Sequence, residues 1–160
     1  MIWTKLKRTA EPLLADTLQG RIEYHLTRYG NGVSHFMSRG WITLDRTEIA
    51  NFSTIGRERE IYSRTGNWYS HDPQVLSTLE QEGIFTRDDY VSALHAYVGL
   101  QMKDALRSVD PIVRAISMFD RRLGKRRLRT FCCEDEHPLV KQFFKIRCEA
   151  EELELRKDDG

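Results

Sequence analysis

The strongest constraint on the fold is a change in hydrophobic spacing along the chain. From Ile22, apolar and polar residues alternate, and Ile22, Tyr24 and Leu26 share one side. This period of two is typical of a β-strand with one buried face. After Pro73 the apolar residues recur every three or four positions, as they do in amphipathic helices. The sequence therefore predicts an α+β fold, in which a small antiparallel β-sheet at about residues 21–53 packs against a mainly helical second half.

Turn residues and β-favouring residues divide the predicted sheet into strands. Gly30-Asn31-Gly32 tolerates positive φ angles and is expected to form a hairpin turn. Val33 to Met37 is predicted to return as a second strand. Trp41 to Leu44 and Ile49 to Phe52 are rich in β-favouring residues and are predicted to be further strands. The polar stretch that follows, residues 54–73, fits a loop or a short helix equally well.

Capping residues place the helices. The first predicted helix runs from about residue 10 to about residue 18. Later helices are predicted to begin at Pro73, Thr86, Pro111 and Pro138. Thr86 and Asp89 match a capping box. The helix from Pro111 carries an apolar stripe of Ile112, Ile116, Phe119 and Leu123, and Gly124 is expected to end it.

The 160 residues are enough for one domain, with an N-terminal helix plus sheet at about 1–53 and a helical part at about 73–156. No apolar run is long enough for a membrane span, and the first residues do not resemble a secretory signal. Three cysteines, with Cys132 and Cys133 adjacent, do not suggest a disulfide framework. The sequence therefore predicts a single-domain protein of the cytoplasm, where thiols stay reduced.

Positive charge is concentrated in one segment. The net charge is only +1, yet six of the nine residues from Arg121 to Arg129 are basic. The candidate contacts for a polyanion or a partner protein are Arg114, Arg121, Arg122, Lys125, Arg126, Arg127 and Arg129. On a continuous helix four of them, Arg114, Arg121, Lys125 and Arg129, would share a face that could neutralise phosphates. Arg127 would then lie on the apolar side, which predicts a break at Gly124.

Three interpretations of the basic segment stay open. It is a solvated helix end paired in part with carboxylates, a contact for nucleic acid or phosphate, or a contact for an acidic protein. The favoured function is a non-enzymatic binding module that contacts nucleic acid or another polyanion through residues 121–129. The alternative is an accessory protein that binds or neutralises a partner protein through complementary charge.

The remaining reactive side chains form no complete catalytic or metal site. Cys132, Cys133, His137 and Cys148 could be drawn as a zinc site, but adjacent cysteines point apart and the usual C-x-x-C spacing is missing. Glu23 and His25 share a strand face and could perform acid–base chemistry in a cleft, although that alternation is also typical of a solvent-facing strand. Dinucleotide and phosphate-loop motifs are missing as well. No catalytic residue, metal or cofactor is therefore predicted, and an enzyme is the less favoured class.

Four segments in one order resemble a family of small, uncharacterised bacterial proteins usually labelled hypothetical. The segments are Trp3-Thr-Lys-Leu-Lys, Gly20-Arg-Ile-Glu-Tyr, Asp120-Arg-Arg-Leu-Gly-Lys-Arg-Arg-Leu and His137-Pro-Leu-Val-Lys-Gln-Phe-Phe-Lys-Ile-Arg. The segment from Asp120 is the most specific of the four. The resemblance implies a bacterial or phage origin and a cytoplasmic setting. It assigns no functional residue, because no activity is attached to that family.

Overall fold

The computed structural model describes residues 2–27 and 37–154. Its helices are α1 Trp3–Ala10, α2 Thr54–Thr65, α3 Pro73–Gln81, α4 Arg87–Gly99, α5 Met102–Ala105, α6 Pro111–Ser117, α7 Lys125–Thr130 and α8 Pro138–Ala150. The strands are β1 Ile22–Leu26, β2 Arg39–Leu44 and β3 Thr47–Ser53. The predicted α+β class is confirmed, and the described strands all fall within the predicted range. The expected turn at Gly30 and the strand from Val33 lie outside the described residues.

The contacts group the chain into two compact units. One, here called the sheet unit, is Arg21–Ala93. The other, here called the helical unit, combines Met1–Gly20 with Leu94–Gly160. The first twenty residues therefore group with the later helices, although the sequence analysis placed them with the sheet. That the whole chain forms a single domain stays a prediction.

The sheet is antiparallel in the order β1-β2-β3. A two-residue turn joins β2 to β3, and its residues Asp45 and Arg46 both have positive φ, at 49° and 69°. These angles suit the primed turns that match the strand twist. The side chain of Arg21 donates to both carboxylate oxygens of Asp45, at 2.9 and 2.7 Å. The turn lacks the usual Asn-Gly signal, so its sequence did not reveal it.

The buried side of the sheet unit is built from strand and helix residues together. Ile22, Tyr24, Ile42 and Phe52 are buried, whereas Leu26, which the alternation placed on the side of Ile22 and Tyr24, is half-buried. The Phe52 ring stacks on Tyr90 of α4 with the centroids 4.6 Å apart. Burying these large side chains is the main source of stability for a unit of this size.

The stretch left open as loop or helix begins as a helix. Ser53 caps α2, because its Oγ accepts from the Gly56 amide at 3.1 Å. Gly66 ends the helix in the left-handed conformation, with φ of 70°. Arg57 is buried and its Nη1 donates to the Ile84 carbonyl at 2.6 Å. This buried arginine explains how a helix with few apolar residues is held in place.

The N-terminal helix lies earlier than predicted. It begins at Trp3 and ends at Ala10, and two short 3-10 turns, Glu11–Leu13 and Asp16–Leu18, follow it. The reason is backbone pairing with a distant segment: the Ala15 amide donates to the Phe119 carbonyl, and the Arg121 amide donates to the Leu13 carbonyl, both at 2.8 Å. These hydrogen bonds replace the helical ones that the prediction required.

The helix from Pro111 is shorter than predicted. It ends at Ser117 rather than near Gly124, although the predicted stripe residues are all buried. Gly124 instead precedes α7 as its N-cap. In the helical unit, Phe119 stacks on Phe143 of α8 with centroids 4.5 Å apart. The apolar stripe was therefore identified correctly, and only its continuous helical geometry was wrong.

Among the described helices, none is both long and apolar enough to cross a membrane.

Candidate functional site

The candidate site is the basic segment, defined as residues 121–129, together with Arg114. The turn that carries it is held by one buried side chain, Arg147 of α8. Arg147 Nη1 donates to the carbonyls of Met118 and Asp120, at 3.0 and 2.8 Å, and Nη2 donates to that of Leu123 at 2.9 Å. All three carbonyls follow the last residue of α6, and that of Asp120 also accepts from the Leu123 amide at 3.1 Å. Arg147 therefore stabilises the turn that leads from α6 into the basic segment.

A second buried group, the Asp120 carboxylate, forms an ion pair with Arg122, so that the Arg122 guanidinium is not free to bind a ligand. Asp120 is fully buried and accepts a 2.5 Å hydrogen bond from the Tyr97 phenol. It also accepts from Nε and Nη2 of Arg122, while Nη1 of Arg122 donates to the Leu100 carbonyl at 3.0 Å. The hydrogen bond to Asp120 outweighs burial and raises the pKa of the Arg122 guanidinium. Arg122 thus has a structural role in the turn.

Two further candidates also have intramolecular partners. Arg114 of α6 donates to Glu136 at 3.1 Å and to the Ser108 carbonyl at 2.6 Å. Lys125 lies 3.5 Å from the carboxylate of Glu151. These contacts match the interpretation of a helix end paired in part with carboxylates, which the sequence analysis left open.

Glu151 is the acidic centre of these pairs. Its carboxylate accepts from Arg147 Nε at 2.9 Å and from the Thr17 hydroxyl at 3.1 Å. Burial by itself raises the pKa of Glu151, but these hydrogen bonds and the charges of Arg147 and Lys125 outweigh burial, so that the pKa lies below its usual value. Glu151 is therefore a charged group that ties α8 to the start of α7.

The other four candidates, Arg121, Arg126, Arg127 and Arg129, are exposed. Within residues 2–27 and 37–154, none of the four forms a side-chain ion pair. Leu128 is the buried side chain of α7 and anchors that helix to the helical unit. Arg126 and Arg129 are three positions apart and therefore lie on one side of the helix, with Arg127 on the flank. This cluster presents guanidinium groups that are free to contact a ligand.

Arg121 lies in different surroundings from the α7 arginines. It borders a groove of about 360 Å³ whose lining also includes Asp16, Arg147 and Glu151. Two carboxylates there offset the two arginines, so the groove is not a strongly positive pocket. Among the four exposed candidates, the three that do not border this groove are therefore those on α7.

The predicted shared face does not form. Arg114 lies on α6, Arg121 lies in the turn after it, and Lys125 and Arg129 lie on α7. A new helix does begin after Gly124, but the helix from Pro111 has already ended at Ser117, seven residues before the predicted break. The pairing of Arg122 with Asp120 was missed, although Asp-x-Arg in a turn is a recognisable signal: the Asp120 side chain also accepts from the Arg122 amide at 2.7 Å.

Cys132, Cys133, His137 and Cys148, the residues that could be drawn as a zinc site, do not form one in the described part of the chain. Cys132 is exposed, Cys133 is half-buried and Cys148 is buried, and all three are free thiols. Burial raises the pKa of the Cys148 thiol. His137 is the N-cap of α8, since its Nδ1 accepts from the Leu139 amide at 3.0 Å. Across residues 2–27 and 37–154, no group of three or more His, Cys, Asp or Glu side chains is arranged to hold a metal ion.

His25 lies on the polar face of the sheet. Its Nε2 is 2.9 Å from the Thr43 hydroxyl, and its ring stacks on Trp41 with centroids 5.0 Å apart. The Arg39 guanidinium lies 4.2 Å from the Trp41 ring centroid and also donates to Glu48 at 2.8 Å. These cross-strand contacts stabilise the sheet, and the sequence analysis did not find the pairing of His25 with Trp41.

These features define an α+β protein with a three-stranded antiparallel sheet and a short arginine-rich helix exposed on its helical unit. The chain belongs to the SF0329 protein family, whose model matches residues 2–148. This is a family of uncharacterised proteins, and the matched region includes the whole basic segment. No curated protein and no solved structure gives a significant match.

Proposed function

We propose that this protein is a non-enzymatic binding module that contacts nucleic acid or another polyanion through residues 121–129. The observation that carries the proposal is the exposure of Arg126, Arg127 and Arg129 on a helix anchored by Leu128. Within the described part of the chain these three guanidinium groups have no carboxylate partner. A cluster of exposed basic side chains without carboxylate partners is typical of a site that binds a polyanion.

Stability does not account for the cluster. Pairs such as Lys125 with Glu151 are exposed on one side and contribute about 0–1 kcal/mol each. Three neighbouring arginines without partners repel one another, by about 1 kcal/mol for a pair 4 Å apart in water. A bound polyanion would remove that repulsion and release counterions, which favours binding.

The guanidinium group also suits the chemistry of phosphate. Its planar fork can donate two parallel hydrogen bonds to one phosphate, which an ammonium group cannot do. The side chains of α7 include no aromatic ring for stacking on bases. The proposal is therefore contact with the phosphate backbone, with little dependence on base sequence.

The proposal includes a cytoplasmic setting in a bacterium. The free thiols support it, because exposed Cys132 would be kept reduced there. Nucleic acids and inorganic polyphosphate are the abundant polyanions of that compartment.

The test is binding across a salt series. Fluorescence anisotropy would measure the affinity of the chain for labelled mixed-sequence duplex DNA, tRNA, single-stranded DNA and inorganic polyphosphate between low and physiological salt. The variant is Arg126→Glu with Arg129→Glu. The matched control is Lys5→Glu with Arg8→Glu, which changes the same charge at the same spacing on the exposed side of α1.

We expect the wild type to bind at least one probe and the α7 variant to lose most of that affinity. Each phosphate contact contributes about 0.9 to the salt slope, so the slope should fall by about two in the α7 variant. The α1 control should bind nearly as well as the wild type. Failure of the wild type to bind any probe at low salt, or equal losses in both variants, would overturn the proposal.

A further inference from the structure

The sheet unit carries an exposed aromatic cluster at the end of α2. Tyr62, Trp68 and Tyr69 are 45%, 39% and 84% exposed, and we call these three residues the aromatic platform. The rings of Tyr62 and Trp68 stack with centroids 4.6 Å apart and planes 18° apart. The aromatic platform thus contains three of the six large hydrophobic side chains that are exposed within the described residues. Exposed apolar side chains that are grouped on a surface, and not scattered singly, are typical of an interaction site.

The backbone around the platform is held in one conformation. The Gly66 amide donates to the Tyr62 carbonyl at 2.7 Å, which closes the end of α2. The Asn67 amide donates to the Thr65 hydroxyl at 3.1 Å, and the Tyr69 amide donates to Asn67 Oδ1 at 3.0 Å. A partner would therefore find the backbone of these residues already ordered, and little conformational entropy would be lost on binding.

The segment that carries the platform has a negative net charge. From Thr54 to Glu82 the chain has five carboxylates and three arginines: Glu58, Glu60, Asp72, Glu80 and Glu82 against Arg57, Arg59 and Arg64. Arg64 is shared between two carboxylates, Glu60 at 3.3 Å and Glu82 at 2.5 Å. Glu58 is four positions before Tyr62 and thus on the same side of α2. This charge would repel phosphates and attract cations.

Exposed aromatic rings on a negatively charged segment fit one ligand chemistry in particular. Trp and Tyr rings attract guanidinium and ammonium groups placed over their faces, and Trp does so most strongly. Glu58, one helical turn before Tyr62, can accept hydrogen bonds from a cation bound on that side of α2. Trp and Tyr are also the residues that contribute most to protein–protein interfaces.

We propose that the aromatic platform docks an arginine- or lysine-rich segment of a partner protein. The negative net charge of residues 54–82 complements a basic segment, and the exposed rings can contact its cations. This site is on a different unit from the basic segment and selects the opposite charge. It is therefore independent of the proposed polyanion contact.

The test uses the full chain and a labelled nine-residue peptide of alternating arginine and glycine. Its affinity would be measured by fluorescence anisotropy for the wild type, for Trp68→Ala, for Tyr69→Ala and for Trp68→Phe. Tyr69 is almost fully exposed, so its replacement does not threaten folding, and circular dichroism would verify each variant. The matched control is Val109→Ala, an exposed apolar side chain of the helical unit.

We expect Trp68→Ala and Tyr69→Ala each to weaken peptide binding by about threefold to thirtyfold, the range of a cation–π contact. Trp68→Phe should retain part of the affinity, and Val109→Ala should bind as the wild type does. The Arg126→Glu, Arg129→Glu variant should bind the peptide at least as well as the wild type, which separates this inference from the proposed function. Equal binding by all variants, or a loss of single-stranded DNA binding in Trp68→Ala, would overturn it.

Discussion

The Asp120 carboxylate accepts hydrogen bonds from both Nε and Nη2 of Arg122, at 3.0 and 2.7 Å, from a position with no exposure to solvent. The two residues are only two positions apart, so the turn between them is closed by its own side chains. Arg122 of the basic segment therefore stabilises the fold, while the arginines on α7 are exposed and have no carboxylate partner among the described residues. The same short stretch thus contains a structural arginine and candidate binding arginines.

The first prediction concerns this pair. Replacing Arg122 with Leu leaves the buried Asp120 carboxylate without its cation, and we expect the free energy of unfolding to fall by about 3 kcal/mol. That figure is the low end of the range for buried pairs, since the Arg122 side chain is 36% exposed. Urea denaturation followed by circular dichroism would measure it. Arg126→Leu is the control and should change stability by about 0.5 kcal/mol or less; equal effects of the two substitutions would contradict the structural role of Arg122.

The second prediction concerns Gly40 of β2. A Cβ added there would overlap the Tyr90 ring, which is buried and stacks on Phe52. We therefore expect Gly40→Ala to destabilise the protein by about 1–3 kcal/mol, as overpacking does elsewhere. The control is Gly99→Ala, where, apart from the adjoining residues and the backbone of its own helix, no described atom lies within 4 Å of the added carbon. A thermal melt should separate the two variants clearly, and a wild-type melting temperature for Gly40→Ala would show that Tyr90 does not pack there.

The third prediction concerns pH and Glu151. Its pKa in the folded protein lies below the ordinary value of 4.5, because the bonds from Arg147 and Thr17 and the nearby charges outweigh burial. The unfolded chain then binds more protons than the folded one in this range, so stability rises with pH. The contribution of Glu151 is complete above about pH 5.5 and is lost as the pH falls below about 4.5 through the folded pKa.

Comparison with Glu151→Gln isolates this effect. The difference in unfolding free energy between wild type and variant should be constant from about pH 5.5 to 7 and should shrink below about pH 4.5. Urea titrations at each pH would measure it. A difference that does not change between neutral and acidic pH would show that Glu151 is not held in its charged form by these contacts.

The fourth prediction concerns the thiols. Cys132 is exposed, whereas Cys148 is buried and its pKa is raised by burial, so the two should differ in reactivity. We expect iodoacetamide to label Cys132 rapidly in the folded protein and to leave Cys148 unmodified. Peptide mass spectrometry would identify the labelled sites, with labelling in guanidinium chloride as the control in which all three react. Rapid labelling of Cys148 without denaturant would contradict its buried position.

The parts of the fold that sequence predicted correctly are those set by local chemistry. The capping box of Thr86 and Asp89 forms as expected, with the Thr86 amide donating to Asp89 Oδ2 at 2.7 Å and the Asp89 amide donating to Thr86 Oγ1 at 3.1 Å. Pro138 begins α8, and the alternation from Ile22 produces β1, in which Ile22 and Tyr24 are buried as expected. Each of these signals lies within a few residues of the element that it controls.

The errors arise where distant residues decide the local structure. Leu14 pairs with Asp120 across the helical unit, which prevents the predicted helix over residues 10–18. Arg147 supplies hydrogen bonds to carbonyls that precede it by 24–29 positions, which stabilises the turn that follows the helix of Pro111. Neither contact has a signal in the neighbouring sequence. The sequence therefore predicted which basic residues form the candidate site. It did not predict which of them pair with carboxylates and which stay exposed without a partner.

The way α7 is attached has a consequence for how this protein could diversify. Leu128 is the buried residue of that six-residue helix, so most of its outward side chains can be exchanged without disturbing the core. Substitutions at such positions usually change stability by about 0.5 kcal/mol or less. Selection could therefore alter what this surface recognises, or remove its charge altogether, while the fold is inherited unchanged. For protein engineering, the same arrangement makes α7 a suitable place to graft a short recognition helix.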